Sequence, residues 1–356
     1  MNFKFLIQLF IVCVSILSAQ SIKNRLLVPL YVYPSVSFGY DSNYLKLSSG
    51  EMDNAGLNLS ILGDSQTFDS DISRIKMKFL YSPVLSDRYE TNINVILSHL
   101  IFGQLKEKSY SHYSMIFEQH LGPYNWIKIG YKYLPKYFIR YYGDRDFIGE
   151  NRYSCNFSSE EIYISYSFPI TGLSWIRLKT SGRNEFYNSH FTEFDQQKFT
   201  GQIEFYSGFS KRTKYSVSLS HGRSRNTNYN SGLISTVVDR SYILDKMTLG
   251  LTHRPHGVPL MQKFGVSLSA EQRLYDLGSE VGHLDDWKFY LESNVSIWSQ
   301  IQVHEDISLK ISYQYRNRDA DSNSLGEYYW VEEVKDFSKH VVWFDFSYDL
   351  VLDLFY

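Results

Sequence analysis

The chain has 356 residues, 36 Lys and Arg against 38 Asp and Glu, and a formal net charge of −2, a balance that gives no electrostatic case for binding nucleic acid. Its 30 Tyr and 24 Phe against only 8 Pro favour strands, because aromatic and β-branched side chains suit a pleated, half-buried surface. Past the first residues no apolar stretch reaches the roughly eighteen that a membrane helix needs, which excludes a helical membrane protein.

Residues 1–19 read as a secretory signal peptide: Lys4 near the start, an apolar run from Phe5 to Ile16, then the small residues Ser18 and Ala19, with cleavage expected near Gln20 or Ser21. Cys13 lies within the apolar run, so Cys155 is the only thiol expected in the segment 20–356. A single thiol forms no internal disulfide, and stability must come from backbone pairing and burial.

From residue 30 onward the pattern alternates with period two, which in a strand sends successive side chains to opposite faces. Over 125–141, Ile127, Ile129, Tyr131, Tyr133, Tyr137, Ile139 and Tyr141 alternate with Lys128, Gly130, Lys132, Lys136 and Arg140. Ile307, Leu309, Ile311, Tyr313 and Tyr315 alternate with Ser308, Lys310, Ser312, Gln314 and Arg316. At the end Val342, Phe344, Phe346, Tyr348, Leu350, Leu352, Leu354 and Tyr356 share one face, opposite Asp345, Ser347, Asp349 and Asp353. Such segments number about fourteen, centred near residues 36, 76, 95, 115, 132, 164, 178, 203, 218, 248, 268, 292, 311 and 348; twelve or sixteen are also allowed if a hairpin is misread. Short links (Pro83–Asp87, Gly122–Tyr124, Pro169–Gly172, Gly208–Thr213, Pro255–Gln262, Ser299–Glu305) alternate with longer polar ones at 48–68, 143–159, 185–196, 225–240, 275–285 and 317–338. The exception is Gly103–Ser109, short where a long loop is expected.

A signal peptide, alternating strands and a last strand ending Leu354-Phe355-Tyr356 resemble the bacterial outer-membrane β-barrel superfamily. The resemblance implies an all-β fold, a transmembrane antiparallel up-and-down β-barrel in the cell outer membrane with both termini in the periplasm. It also implies contact with outer-membrane lipid and lipopolysaccharide, and recognition by the barrel assembly machinery of a C-terminal signal carried here by Tyr348, Leu350, Leu352, Leu354 and Tyr356. The phrase Phe38-Gly39-Tyr40-Asp41-Ser42-Asn43 is similar to a strand-to-loop phrase of several such barrels and implies no activity. A soluble β-sandwich is the other partition, but it would bury its apolar face and rarely tolerate so aromatic a terminal strand.

Alternation places Arg74, Lys76, Lys78, Lys128, Lys132, Lys136, Arg140, Arg177 and Lys179 on the lumen face of early strands, and Glu271, Glu292, Asp345, Asp349 and Asp353 on that of late ones, interrupted by Lys288, Lys310 and Arg316. A basic wall facing a partly acidic one would set up a transverse field that filters charged solutes. The same charges could instead pair into networks that seal the barrel.

A barrel-embedded hydrolase is tested by Ser98-His99 and Ser220-His221, but neighbours on one strand point to opposite faces and cannot act together. His221-Gly222-Arg223-Ser224-Arg225-Asn226 faintly resembles an outer-membrane phospholipase phrase but lacks the His-x-Ser-Asn-Gly order. Asp144, Asp146 and Glu150 read as solvated loop charge, and His253 with His256 is short of a metal site. Arg140-Tyr141-Tyr142-Gly143-Asp144-Arg145-Asp146 suits an interfacial girdle or contact with sugar or lipopolysaccharide. No cofactor, metal or enzymatic activity is expected.

The leading expectation is a passive channel or porin-like transporter for small polar or charged solutes. A non-conducting structural or export/assembly barrel, with or without a periplasmic partner, is the alternative, and the hydrolase a second. Surface-lipoprotein export barrels carry helical repeats ahead of the barrel and TonB-dependent transporters a plug, and the roughly ten residues expected between cleavage and the first strand disfavour both.

Overall fold

The computed structural model of the chain describes residues 25–54, 62–144, 146, 152–237, 239–275, 287–322 and 336–352. Residues 1–19, read as a signal peptide, and Asp353, Leu354 and Tyr356 lie outside them, as do Glu150 and Arg145. The strands are β1 (Leu30–Asp41), β2 (Ser70–Tyr81), β3 (Thr91–Phe102), β4 (Tyr110–Gly122), β5 (Asn125–Gly143), β6 (Arg152–Thr171), β7 (Ser174–Tyr187), β8 (Gln196–Gly208), β9 (Thr213–Asn226), β10 (Tyr242–His253), β11 (Met261–Tyr275), β12 (Trp287–His304), β13 (Ile307–Ser322), β14 (Phe337–Tyr348) and the short β15 (Leu350–Leu352). Each of the fourteen expected centres falls within β1 to β14.

Every strand pairs antiparallel with its sequence neighbour, and β14 pairs with β1, so the sheet closes into a barrel without a free edge. β15 continues the register of β14 against β1: Ser35 lies opposite Ser347 and Leu30 opposite Leu352. The expected single terminal strand is interrupted at Asp349, where the facing residues of β1 are Tyr33 and Pro34. Proline has no N–H to give to a ladder, and Asp349 instead donates its backbone N–H to Asp306.

Alternation sorts the two faces. Val36, Phe38 and Tyr40, Ile129 and Tyr131, Ile162, Ile164 and Tyr166, Leu249 and Leu251, and Phe344, Phe346 and Tyr348 are exposed large apolar side chains on the outside, the apolar belt of a membrane-spanning barrel. On the inner face aromatic rings lie over neighbouring glycines: a Cβ on Gly130 would collide with the Tyr163 ring, and one on Gly39 would stand 2.9 Å from Trp343. Inside a closed cylinder such gaps let bulky rings lie flat against the wall.

The links 82–90, 123–124, 172–173, 209–212, 254–260 and 305–306 define the short-turn end. At the other end lie the described parts of L1 (42–54 and 62–69), L2 (103–109), L3 (144 and 146), L4 (188–195) and L5 (227–237 and 239–241). Strands there outrun the expected bounds: β5 and β6 pair out to Gly143 and Arg152 although both segments turn polar, because ladder pairing satisfies the backbone whatever the side chains are. Two register shifts give β5 an extra residue between Leu134 and Tyr137 and another between Phe138 and Arg140.

L1 folds back into the barrel. Tyr44, Leu45, Leu47 and Leu62 join Ile72, Phe102, Leu105, Phe138 and Val341 in one buried apolar cluster inside the long-loop end, with Leu47 at 0% exposure. Asn43 shapes the turn by donating from Nδ2 to Leu47 O and Ser338 O and accepting from Leu47 N at Oδ1. The helix α1 (Ser49–Asn54) then starts with a capping box in which Ser48 Oγ accepts from Glu51 N and Ser48 N donates to Glu51 Oε2.

Candidate channel lining and constriction

Ladder parity puts Arg74, Lys76, Lys78, Lys128, Lys132, Arg177 and Lys179 on the face turned away from the apolar belt, together with Glu271, Glu292 and Asp345. Beyond the two bulges Arg140 also points inward. Lys136 does not keep its expected place: the extra residue before Tyr137 sets Tyr137 opposite Phe157, and Lys136, half exposed, reaches Glu107 of L2 at 3.6 Å. A one-residue insertion reverses the faces beyond it, which a period-two count cannot register.

The division into a basic wall and an acidic wall does not hold. Each of these acids pairs with nearby bases: Asp345 of β14 with Arg74 of β2 across β1 at 2.5 Å, Glu271 with Arg273 at 2.7 Å and Lys246 at 3.2 Å, and Glu292 with Arg318 at 2.8 Å and with Arg316. The early strands carry acids of their own on the same face. Glu118 pairs with Lys128, Glu161 with Lys132 at 2.9 Å and Lys179 at 3.8 Å, and Glu204 with Arg177 at 3.0 Å. These acids sit at lumen parity in the sequence, so the same alternation that selected the bases would have found them. Aromatic faces complete the lining, with Lys132 and Lys179 at 5.3 and 4.6 Å from the Tyr163 ring and Arg74 at 4.8 Å from Trp343.

Five inward strand lysines have no carboxylate within 4 Å among the described residues: Lys76, Lys78, Lys214, Lys263 and Lys310. Lys76 and Lys78 lie in the second half of β2, and Lys214, Lys263 and Lys310 near the starts of β9, β11 and β13, so all five occupy the short-turn half. Lys76 is within electrostatic reach of Arg74, Lys78, Lys310 and Asp345, and Lys263 of Lys310 and Arg254. Asp349, at the same end, acts on Tyr33.

At the long-loop half, L1 is tied across the lumen. Arg140 Nη1 donates to Glu51 Oε2 at 2.8 Å and Oε1 at 3.1 Å, the two side chains being 6% and 13% exposed. The same Glu51 that caps α1 therefore fastens it to β5. Lys339 of β14 donates to Asp41 at 2.6 Å where L1 begins. From L2, Lys108 Nζ donates to the carbonyls of Phe138 and Ile139, and burial lowers its pKa to about 7. Lys46, at φ 56° in the segment of L1 before α1, stands among Arg316, Arg318 and Glu292; burial holds its pKa well below that of an ordinary lysine. A cavity of about 430 Å³ is lined by Arg74, Ser98, Leu100, Tyr110, His112, Leu134, Tyr137 and Trp343.

The outer loops interlock. Asp144 accepts from His190 Nδ1 at 2.8 Å, and Asp146 accepts from Ser235 N and Oγ at 2.9 and 2.6 Å, joining L3 to L4 and L5. Glu193 is buried beside this pair, and desolvation raises its pKa to about 7.

As for the hydrolase residues, Ser98 faces inward and His99 outward, where His99 Nδ1 lies 3.0 Å from Ser111 Oγ across the β3–β4 ladder. Sequence adjacency misses this pair because its members are joined only by strand register. Among the described residues no carboxylate orients the ring of His99. His221 likewise points outward, 2.8 Å from Asp245, with Ser220 on the other face. His253 bonds Thr213 at 2.8 Å, and no cluster of three His, Cys, Asp or Glu fit for a metal occurs among the described residues.

No family model matches the chain, and no curated protein matches it. Similar solved structures include an anion-selective porin from Comamonas acidovorans (10% identity, TM-score 0.41, 90% of this chain and 98% of that one). The outer membrane channel DcaP of Acinetobacter baumannii is another (11% identity, TM-score 0.42, 90% and 96%). So is OmpT, an outer membrane protein of Vibrio cholerae (8% identity, TM-score 0.45, 90% and 97%).

Proposed function

We propose that the chain is a passive outer-membrane channel for small polar solutes with a preference for anions, its long-loop end facing the cell exterior and L1 setting the opening. The observation that carries this is the uneven pairing of the lumen. The inward acids Glu118, Glu161, Glu204, Glu271, Glu292 and Asp345 are matched, singly or doubly, by bases, whereas Lys76, Lys78, Lys214, Lys263 and Lys310 are left over in the short-turn half, where Asp349 is the acid without a base within 4 Å among the described residues. Paired charges largely cancel at the distance of a passing ion; unpaired ammonium groups in a narrow, low-dielectric passage attract anions and repel cations.

The test is reversal potential in a planar bilayer under a KCl gradient. The wild-type protein is expected to favour chloride, and Lys76→Glu with Lys310→Glu to move the reversal potential toward cation preference. An unchanged potential in a conducting double variant refutes the role of these lysines.

The apolar cluster formed by L1 favours a second reading, a barrel closed at rest. Folded protein that stays silent in the wild type and also after deletion of 43–54 would support a non-conducting barrel.

A further inference from the structure

The lumen cavity of about 430 Å³ adjoins the folded-in loop: its lining residues Leu100, Tyr110 and Trp343 pack against the buried L1 cluster. The ladder sets much of the lining in two neighbouring rows. Nearer the loops Arg74 lies opposite Leu100 and Leu100 opposite Tyr110, with the Tyr137 ring edge-on to Tyr110 at 5.1 Å between centroids. One inward step toward the short turns, Lys76 lies opposite Ser98 and Ser98 opposite His112, with Leu134 of β5 beyond. Adjacent strands stand about 4.8 Å apart, so Lys76, Ser98 and His112 span about 10 Å.

Leu100, Leu134 and Trp343 give the cavity apolar walls, while the side chains of Ser98, Tyr110, His112 and Tyr137 make no hydrogen bond among the described residues. Half-buried polar groups without protein partners in a walled space are completed by water or by a ligand. The charge balance selects the sign of that ligand. Arg74 is matched by Asp345; of the charged groups that act on His112, Lys132 pairs with Glu161 and Arg183 with Glu185. Lys76 is the cation left over beside this row, having no carboxylate within 4 Å among the described residues.

We propose that this cavity is a binding station in the lumen for small monocarboxylates with a compact apolar body, of the size of benzoate. The carboxylate lies along the row nearer the short turns, accepting from Ser98 Oγ, from the proton-bearing ring nitrogen of His112 and from Lys76 Nζ. The body lies against Leu100, Leu134 and Trp343. A volume of about 430 Å³ is at the small end of the roughly 300–1,000 Å³ of ligand sites, which suits one small solute. An inorganic anion would leave the apolar walls uncovered, and a neutral ring would leave Lys76 without a counter-charge. The role of the site as a station in transport rests on the channel reading above, whereas binding itself is read without current.

The test is fluorine NMR of para-fluorobenzoate added to the full-length folded barrel in detergent, read as line broadening and its reversal by unlabelled competitors. Folding is checked by heat-modifiable gel migration. Benzoate is expected to displace the probe at least tenfold more effectively than acetate, which lacks the body, or benzamide, which lacks the charge. Ser98→Ala/His112→Ala should weaken binding at least tenfold. Leu134→Trp, which fills the cavity and keeps its hydrogen-bonding groups, should abolish binding, and Leu251→Ala on the outer wall should leave it unchanged. Displacement by acetate or benzamide as effective as by benzoate overturns the proposal. So does wild-type binding in either folded cavity variant, or a probe that stays sharp with the wild type. A barrel that binds the probe but is silent in a bilayer fails the channel reading alone, and a chloride-selective channel that leaves the probe sharp fails this proposal alone.

Discussion

Replacing Arg140 with Ala removes the base that fastens α1 to the barrel wall. Glu51 then keeps only the backbone N–H of Ser48 as a donor among the contacts described, while remaining almost enclosed. Removing one partner of a buried, hydrogen-bonded pair costs about 3–5 kcal/mol when the other charge stays buried. L1 can relieve that cost by lifting into water. A shift of about 3 kcal/mol moves the ratio of docked to lifted loop by on the order of 150-fold. Leu45 and Leu47 still favour docking, each by about 1.5–3 kcal/mol of buried apolar surface. The expected result is therefore a loop that opens often rather than one that is lost. Single-channel recording would show longer or larger open states in Arg140→Ala, and the charge-swapped pair Arg140→Glu with Glu51→Arg would return part of the way to the wild type. If Arg140→Ala and Leu47→Ser both conduct as the wild type does, L1 is not the constriction.

Further outcomes concern pH and packing. Lys108 is neutral in the folded protein above about pH 7 but charged in the unfolded chain until its ordinary range. Its burial penalty therefore eases as pH rises from about 7 toward 10.5, and L2 should dock more firmly over that window. Hydrogen exchange at 103–109 that does not slow across it, or that slows equally in Lys108→Met, counts against this account. Glu193 has the opposite sign: its folded pKa of about 7 lies above the unfolded one, so the stability it contributes is full below the ordinary carboxylate range and is lost as pH rises through about 7. Proteolysis within L4 should thus be faster at pH 8 than at pH 5, and Glu193→Gln should flatten the difference. Gly130→Ala sets a methyl where the Tyr163 ring lies and should lower the temperature of heat-modified gel migration, at a cost of about 1–3 kcal/mol. An unshifted midpoint would mean that the ring swings aside freely.

The fold was legible from the sequence because a closed antiparallel barrel needs little beyond local alternation. Phe344, Phe346 and Tyr348 against Asp345 and Ser347 already state which side chains meet lipid, and turn chemistry at 123–124 and 172–173 states where the chain reverses. What alternation cannot carry is register and loop path. The pairing of Arg74 with Asp345 closes the barrel across residues at opposite ends of the chain, and it turns supposed opposing walls into local ion pairs. The two bulges of β5 bring Tyr137 to the place expected of Lys136. Local pattern gives no place to Leu45 and Leu47, which precede the polar link 48–68; they fill the mouth because only the closed cylinder offers them an apolar interior formed by Ile72, Phe102, Phe138 and Val341. His99 with Ser111, and His221 with Asp245, meet on the outer face because ladder register sets them opposite each other. Backbone periodicity is a property of each strand, whereas contact between strands depends on stagger and closure, which the tertiary structure alone decides.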